Sequence, residues 1–247
     1  MVGLRVAFAL ALSAAISGPV VAETLDRAAV ETIVREYLLE NPQVLEQAFT
    51  KLQEVRQAEE AAARVASLED FRDALFNNAG DPYLGNPDGD VTLVEFFDYN
   101  CGFCRRAMED KLRLVESDPN LKIVLKEFPV LGQASMEAAA ISIVVNENHP
   151  ERYGEFHTAL MASEGRVDGA AALRVVDALD LPRADIEAAT QSPRVREVVE
   201  GSYEIAQALG LSGTPSYVVG DSIEFGAVGY DMLKARVNRA RCGSDTC

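Results

Sequence analysis

Two cysteines separated by two residues, in the segment Cys101-Gly102-Phe103-Cys104, are the side chains best suited to chemistry in this sequence. This spacing puts both sulfurs within one turn, where they can close a small reversible disulfide ring. The pair follows an apolar run and opens an amphipathic one, so the first thiol is expected at a helix N-terminus, whose dipole favours the thiolate. Lowering a thiol pKa by two units from about 8.5 is worth about 2.7 kcal/mol and improves both the nucleophile fraction and the leaving group. The competing readings are a structural disulfide and half of a zinc site. Zinc needs further ligands, and besides Cys242 and Cys247 only His149 and His157 are available, at no finger-like spacing.

The elements that must position the pair are written in hydrophobic periodicity. Val91 to Phe97 reads as a buried strand, Arg105 to Glu116 as an amphipathic helix and Leu121 to Phe128 as a second strand. About 135–209 is nearly all helical, in pieces punctuated by Pro150, Pro182 and Pro193. Ser216 to Gly220 and Ser222 to Phe225 suggest a hairpin, and Tyr230 to Arg241 a closing helix. Met108, Met136 and Met161 fall at apolar helical positions and are expected in the core, with His149 and His157 as surface or packing residues. The plan is α/β over 91–241, with a helical block inserted between two halves.

Upstream, 23–79 is expected to be a helical arm. Val30, Ile33, Val34, Tyr37 and Leu38 recur at helical spacing, Asn41-Pro42 breaks the pattern, and a second helix should run from Pro42 to about Phe76. Its stripe of Leu45, Phe49, Leu52, Val55, Ala62, Ala66 and Leu68 either packs on the same chain or makes an oligomer contact through 25–76; the second is our expectation. The turn-rich residues 80–90 read as a linker.

The formal charge of −16 makes nucleic acid a poor partner. Residues 1–22 have the form of an export signal, with Arg5, the apolar run Val6 to Ile16 and the small-residue site Val20-Val21-Ala22. Export leads to an oxidising compartment in which disulfides persist. Of the possible pairings, spacing favours Cys101 with Cys104, and Cys242 with Cys247 within a tail at 242–247.

The run Val94-Glu95-Phe96-Phe97-Asp98-Tyr99-Asn100-Cys101-Gly102-Phe103-Cys104, followed much later by Gly213-Thr214-Pro215, resembles the bacterial periplasmic Dsb-type thiol-disulfide oxidoreductases, a DsbA-like thioredoxin-fold family. That resemblance covers about 91–241. It implies a thioredoxin-like fold with an inserted helical subdomain, Cys101 as nucleophile and Cys104 as resolving thiol. Pro215 would be a cis-proline facing them, with Thr214 free to pair its backbone with an extended substrate. Glu95 would be a buried acid exchanging protons with Cys104. Gly102-Phe103 resembles the glycine-aromatic dipeptide of disulfide isomerases, while Arg105 and Arg106 could add thiolate stabilisation or point to solvent. The implied activity is isomerase- or reductase-leaning exchange of disulfides in exported cysteine-containing proteins, with no cofactor beyond the cysteines and with a membrane redox partner. The alternatives are a monomeric dithiol oxidant, a periplasmic copper(I)-binding protein using the same pair, and a chaperone using the arm.

Overall fold

The structure, a computed structural model, describes residues 26–247; the export signal read at 1–22 and the start of the arm lie outside the described residues. The chain divides into two units between Gln57 and Ala58. Helix α1 (Arg27–Glu40) begins where the Asp26 carboxylate accepts the Ala29 N–H at 2.7 Å, an N-cap, and ends at Asn41. Helix α2 (Gln43–Asp70) follows Pro42 directly. Val30, Ile33, Val34, Tyr37, Leu45, Phe49, Leu52 and Val55 keep the expected spacing and are all exposed.

The long helix does not continue to Phe76. At Phe71 the backbone leaves the helical region, with φ −100° and ψ 9°, and a short α3 (Arg72–Phe76) follows. Leu68 and Leu75, on either side of this break, are both buried in a core shared with Val94, Phe96, Phe128 and Val218. The end of the segment expected as an arm therefore belongs to the sheet-containing unit. The expected linker also carries structure: β1 (Tyr83–Gly85) pairs antiparallel with β3 (Leu121–Glu127). Gly85 closes this strand at φ +81°, with Leu121 O only 2.5 Å from where a Cβ would sit, so the left-handed turn needs a glycine.

The remaining strands are β2 (Val91–Phe97), β4 (Ser216–Val219) and β5 (Ser222–Phe225), in the sheet order β1-β3-β2-β4-β5. β2 and β3 are parallel, joined by helix α4 (Gly102–Ser117); the other pairs are antiparallel. Alternation along β2 sends Val91, Leu93 and Phe97 into one core and Val94 and Phe96 into the other. Both faces are covered, which explains a nearly continuous apolar run in a central strand. Between β3 and β4 lie α5 (Gln133–Asn148), α6 (Tyr153–Met161), α7 (Gly169–Ala178), α8 (Arg183–Ala189) and α9 (Pro193–Ala208), and α10 (Tyr230–Cys242) closes the chain. Met108 and Met161 are buried as expected, whereas Met136 is 36% exposed.

Candidate active site

β2 delivers the chain to a loop that Asp98 and Asn100 tie to the helical insertion. The buried Asp98 carboxylate accepts the Asn100 N–H at 2.7 Å, the Ser135 hydroxyl at 2.7 Å and the Leu131 N–H at 2.9 Å. Asn100 exchanges two hydrogen bonds with the Val167 backbone, donating from Nδ2 to its carbonyl at 2.7 Å and accepting its N–H at 2.8 Å. Arg105 donates to the carbonyls of Tyr99 and Gly165, each at 2.9 Å. Cys101 then stands at the N-cap of α4 and Cys104 in its first turn.

Cys101 is 6% exposed and Cys104 fully buried. The Cys101 Sγ lies 3.1 Å from the Thr214 carbonyl, and the Thr214–Pro215 peptide bond is cis. The Cys101 pKa falls from 9.0 to about 5: the Cys104 thiol donates to it, and this outweighs burial, which acts the other way. The Thr214 side chain and the backbone N–H groups of Cys104 and Phe103 add to the lowering. Burial, the bond to Cys101 and the Glu95 charge push the Cys104 thiol strongly upward. The two sulfurs are thus driven in opposite directions, one toward thiolate and the other toward thiol.

Glu95 lies behind the pair, fully buried on the face of β2 that α4 covers. Burial raises its pKa, and Lys111, which donates to Oε2, opposes the rise. Sequence reasoning missed Lys111. It shares the buried face of α4 with Cys104, Ala107, Met108 and Leu114, and a lysine at a core position of the helical repeat was the legible signal. Tyr217 on β4 is in register with Glu95 and equally buried.

Of the two expected places for His157, the structure shows packing: it is fully buried. Its Nδ1 is 3.0 Å from the Tyr99 hydroxyl, which is 2.7 Å from Ser142 Oγ; that oxygen in turn donates to the Tyr153 hydroxyl at 3.3 Å. Phe103 is 58% exposed, with the Arg106 guanidinium 4.4 Å from its ring centre, so this arginine stacks on the dipeptide. Cys242 and Cys247 are joined by an exposed disulfide, S–S 2.09 Å. It lies at the end of α10, where Arg241 bridges Asp90 and Asp118, at the end of β2 away from Cys101. Among the described residues, no cluster of three or more His, Cys, Asp or Glu side chains could hold a metal.

A thioredoxin-type sheet carrying Cys-Gly-Phe-Cys at a helix start opposite a cis-proline, with a helical insertion, defines a thiol-disulfide oxidoreductase domain. Residues 92–238 match the DSBA-like thioredoxin domain, and the chain belongs to that family. Residues 26–60 match the copper resistance protein ScsC N-terminal domain. Among solved structures, a thioredoxin-like oxidoreductase from Silicibacter pomeroyi DSS-3 is 42% identical, with a TM-score of 0.66 over 69% of this chain and 97% of that one. A linker-deletion mutant of Proteus mirabilis ScsC is 27% identical, with a TM-score of 0.68 over 90% of this chain and 99% of that one. Disulfide bond formation protein D of Bacillus subtilis is 22% identical over 65% of this chain and 77% of its own length. The chain also spans 25% of the length of another curated relative, the Na(+)/H(+) antiporter NhaA 1 of Salinispora arenicola.

Proposed function

We propose that the protein exchanges disulfides in exported, cysteine-containing proteins of the periplasm, leaning toward isomerase or reductase action, with a membrane protein renewing its redox state. Cys101 attacks the substrate, Cys104 releases it, and Glu95 takes up the Cys104 proton. The observation that carries this reading is the opposed perturbation of the two thiols beside the cis bond, with Cys101 drawn down to about 5 and Cys104 pushed up. Attack at one sulfur and delayed attack at the other require that asymmetry. Replacing Cys104 by serine should accumulate mixed disulfides through Cys101; adducts at sites other than Cys101, or none while the unaltered protein is active, refute the roles.

The isomerase lean is supported by Gly102-Phe103 and by the arm. Leu45, Phe49, Leu52 and Val55 are exposed along α2, and each would gain about 1.5–3 kcal/mol on full burial against a second copy. We assign the arm to homo-oligomerisation. Light scattering of the chain lacking 1–22, beside a variant with Leu45, Phe49 and Leu52 changed to serine, tests this together with refolding of a scrambled-disulfide substrate. A monomer with intact arm, or unchanged isomerase activity in the variant, overturns it. Cutting near Gly80 is a poorer test, because it removes Leu68 and Leu75 from the core.

A second reading is copper(I) held by the Cys101 and Cys104 thiolates; residues 26–60, which match a copper resistance protein's N-terminal domain, contain no cysteine. Copper(I) titration of the reduced protein beside a dithiol exchange assay separates the two.

A further inference from the structure

The Glu95 carboxylate is half satisfied. Lys111 occupies Oε2, while Oε1 is buried without a hydrogen-bond partner among the described residues. The same is true of the Tyr217 hydroxyl. These two orphans are not independent, since Glu95 and Tyr217 are directly opposite in the antiparallel β2–β4 ladder. Side chains so placed share one face of the sheet, with Cβ atoms about 4.5–5.5 Å apart. Burial raises the Glu95 pKa, and the phenol, after Lys111, opposes that rise, although neither Oε1 nor the hydroxyl has an aligned hydrogen bond among the described residues. Burial raises the pKa of the phenol, and the Glu95 and Cys104 charges add to the rise. A phenylalanine would fill the same volume, so what the hydroxyl adds is a donor, and the unpartnered Glu95 Oε1 is the acceptor left over on the residue opposite.

We propose that the Tyr217 hydroxyl is the second donor to Glu95, engaging Oε1, and that Lys111 and Tyr217 together position the carboxylate as the proton acceptor for Cys104. This rests on the disulfide-exchange reading above. In the releasing step Cys104 gives its proton to Glu95, and the resulting thiolate attacks the Cys101 sulfur of the mixed disulfide. The Cys101–Cys104 bond forms, the bond from Cys101 to substrate breaks, and its electron pair leaves on the substrate sulfur as a thiolate that solvent protonates. Tyr217 touches neither sulfur in this scheme. It is a positioning residue, and it acts by keeping Glu95 ionised at lower pH than burial and Lys111 alone permit.

The test is the lifetime of the glutathione adduct on Cys101, formed by adding oxidised glutathione to the reduced protein and followed by acid quench and mass spectrometry across pH. Wild type, Y217F, E95Q and the double variant are compared. Loss of one donor to a carboxylate should move the pH at which adduct release accelerates up by about one unit in Y217F, making release about tenfold slower below that point. The rate of adduct formation, set by Cys101, should stay as in wild type, and in the E95Q background Y217F should add no further shift. A release profile moved by E95Q and unmoved by Y217F overturns the role of Tyr217 alone. A Y217F shift that persists undiminished in E95Q also overturns it, since the phenol then acts elsewhere. If E95Q leaves the profile unchanged, the assignment of Glu95 falls with it, and failure of Cys104→Ser to trap adducts is the separate refutation of the exchange reading.

Discussion

Acidifying the reduced protein should remove the advantage that the Cys101 thiolate gives to the folded state. The thiol titrates at about 5 when folded against an ordinary 9.0, a depression of four units. A depressed acid contributes nothing below its folded pKa, gains about 1.36 kcal/mol per pH unit between the two values, and is complete above the ordinary one. At pH 7 about half of that range has been crossed, which is about 2.7 kcal/mol before screening and roughly half as much once solvent at the mouth of the site is allowed for. The oxidised protein has no thiolate at either position, while buried carboxylates and His157 titrate in both forms. Subtracting the oxidised from the reduced unfolding free energy therefore isolates the thiolate. Urea unfolding of both forms between about pH 5 and pH 8, with ultraviolet thiolate absorbance followed in parallel, should show the reduced form gaining roughly 0.7–1.4 kcal/mol per unit. A gain of about 1.4 kcal/mol in the reduced form corresponds to about 30 mV in reduction potential. A difference that stays flat with pH, or a thiolate that appears only near the ordinary thiol pKa, refutes the account.

Changing Lys111 to methionine should cost about 3–5 kcal/mol in urea unfolding, because it leaves the buried Glu95 without its cation, and pairing it with Glu95→Leu should recover most of the loss. Burial holds His157 neutral, with its pKa well below the usual value, so His157 should contribute a fall in stability of the oxidised form as pH drops below about 6.5, of up to about 2 kcal/mol at pH 5, against the opposite contribution of the buried Glu127 and Glu95. His157→Phe should abolish that contribution, and an unchanged slope removes His157 as the cause. Asn100→Ala deletes both bonds to Val167 and should cost about 1–3 kcal/mol, with faster hydrogen exchange at the Val167 amide; unchanged exchange there contradicts the clamp. Reducing Cys242–Cys247, or changing both to serine, should cost about 2 kcal/mol or less because the loop it closes is short, and calorimetry of the variant checks this.

Much of the site is legible in the chain itself. Cys101, Gly102, Phe103 and Cys104 are contiguous, the strand before them is a plain apolar run, and the helix after them has a regular stripe; each of these patterns is local. The helical insertion, the hairpin of β4 and β5 and the tail disulfide are readable for the same reason. The thioredoxin-like plan and the pairing of Thr214-Pro215 with the cysteines come from resemblance, since nothing local to Pro215 specifies a cis bond or its neighbour.

What the sequence leaves open depends on groups brought together from distant elements. Period-2 and period-3.6 patterns report which side of an element is buried, not what meets it there, so Lys111 has no visible partner until α4 packs it against Glu95. Tyr217 is one more strand aromatic until the β2–β4 register sets it opposite that carboxylate. Asp98, Asn100 and His157 acquire partners only when α5, α6 and the Val167 segment close over the loop. β1 is three residues among turn formers and exists because β3 offers an edge, and the helix breaks at Phe71, with Leu68 before it and Leu75 after it both in one core. Local propensity is a weak prior that tertiary burial overrides. The cysteine pair declares its chemistry in sequence, whereas the buried polar groups around it owe theirs to long-range packing.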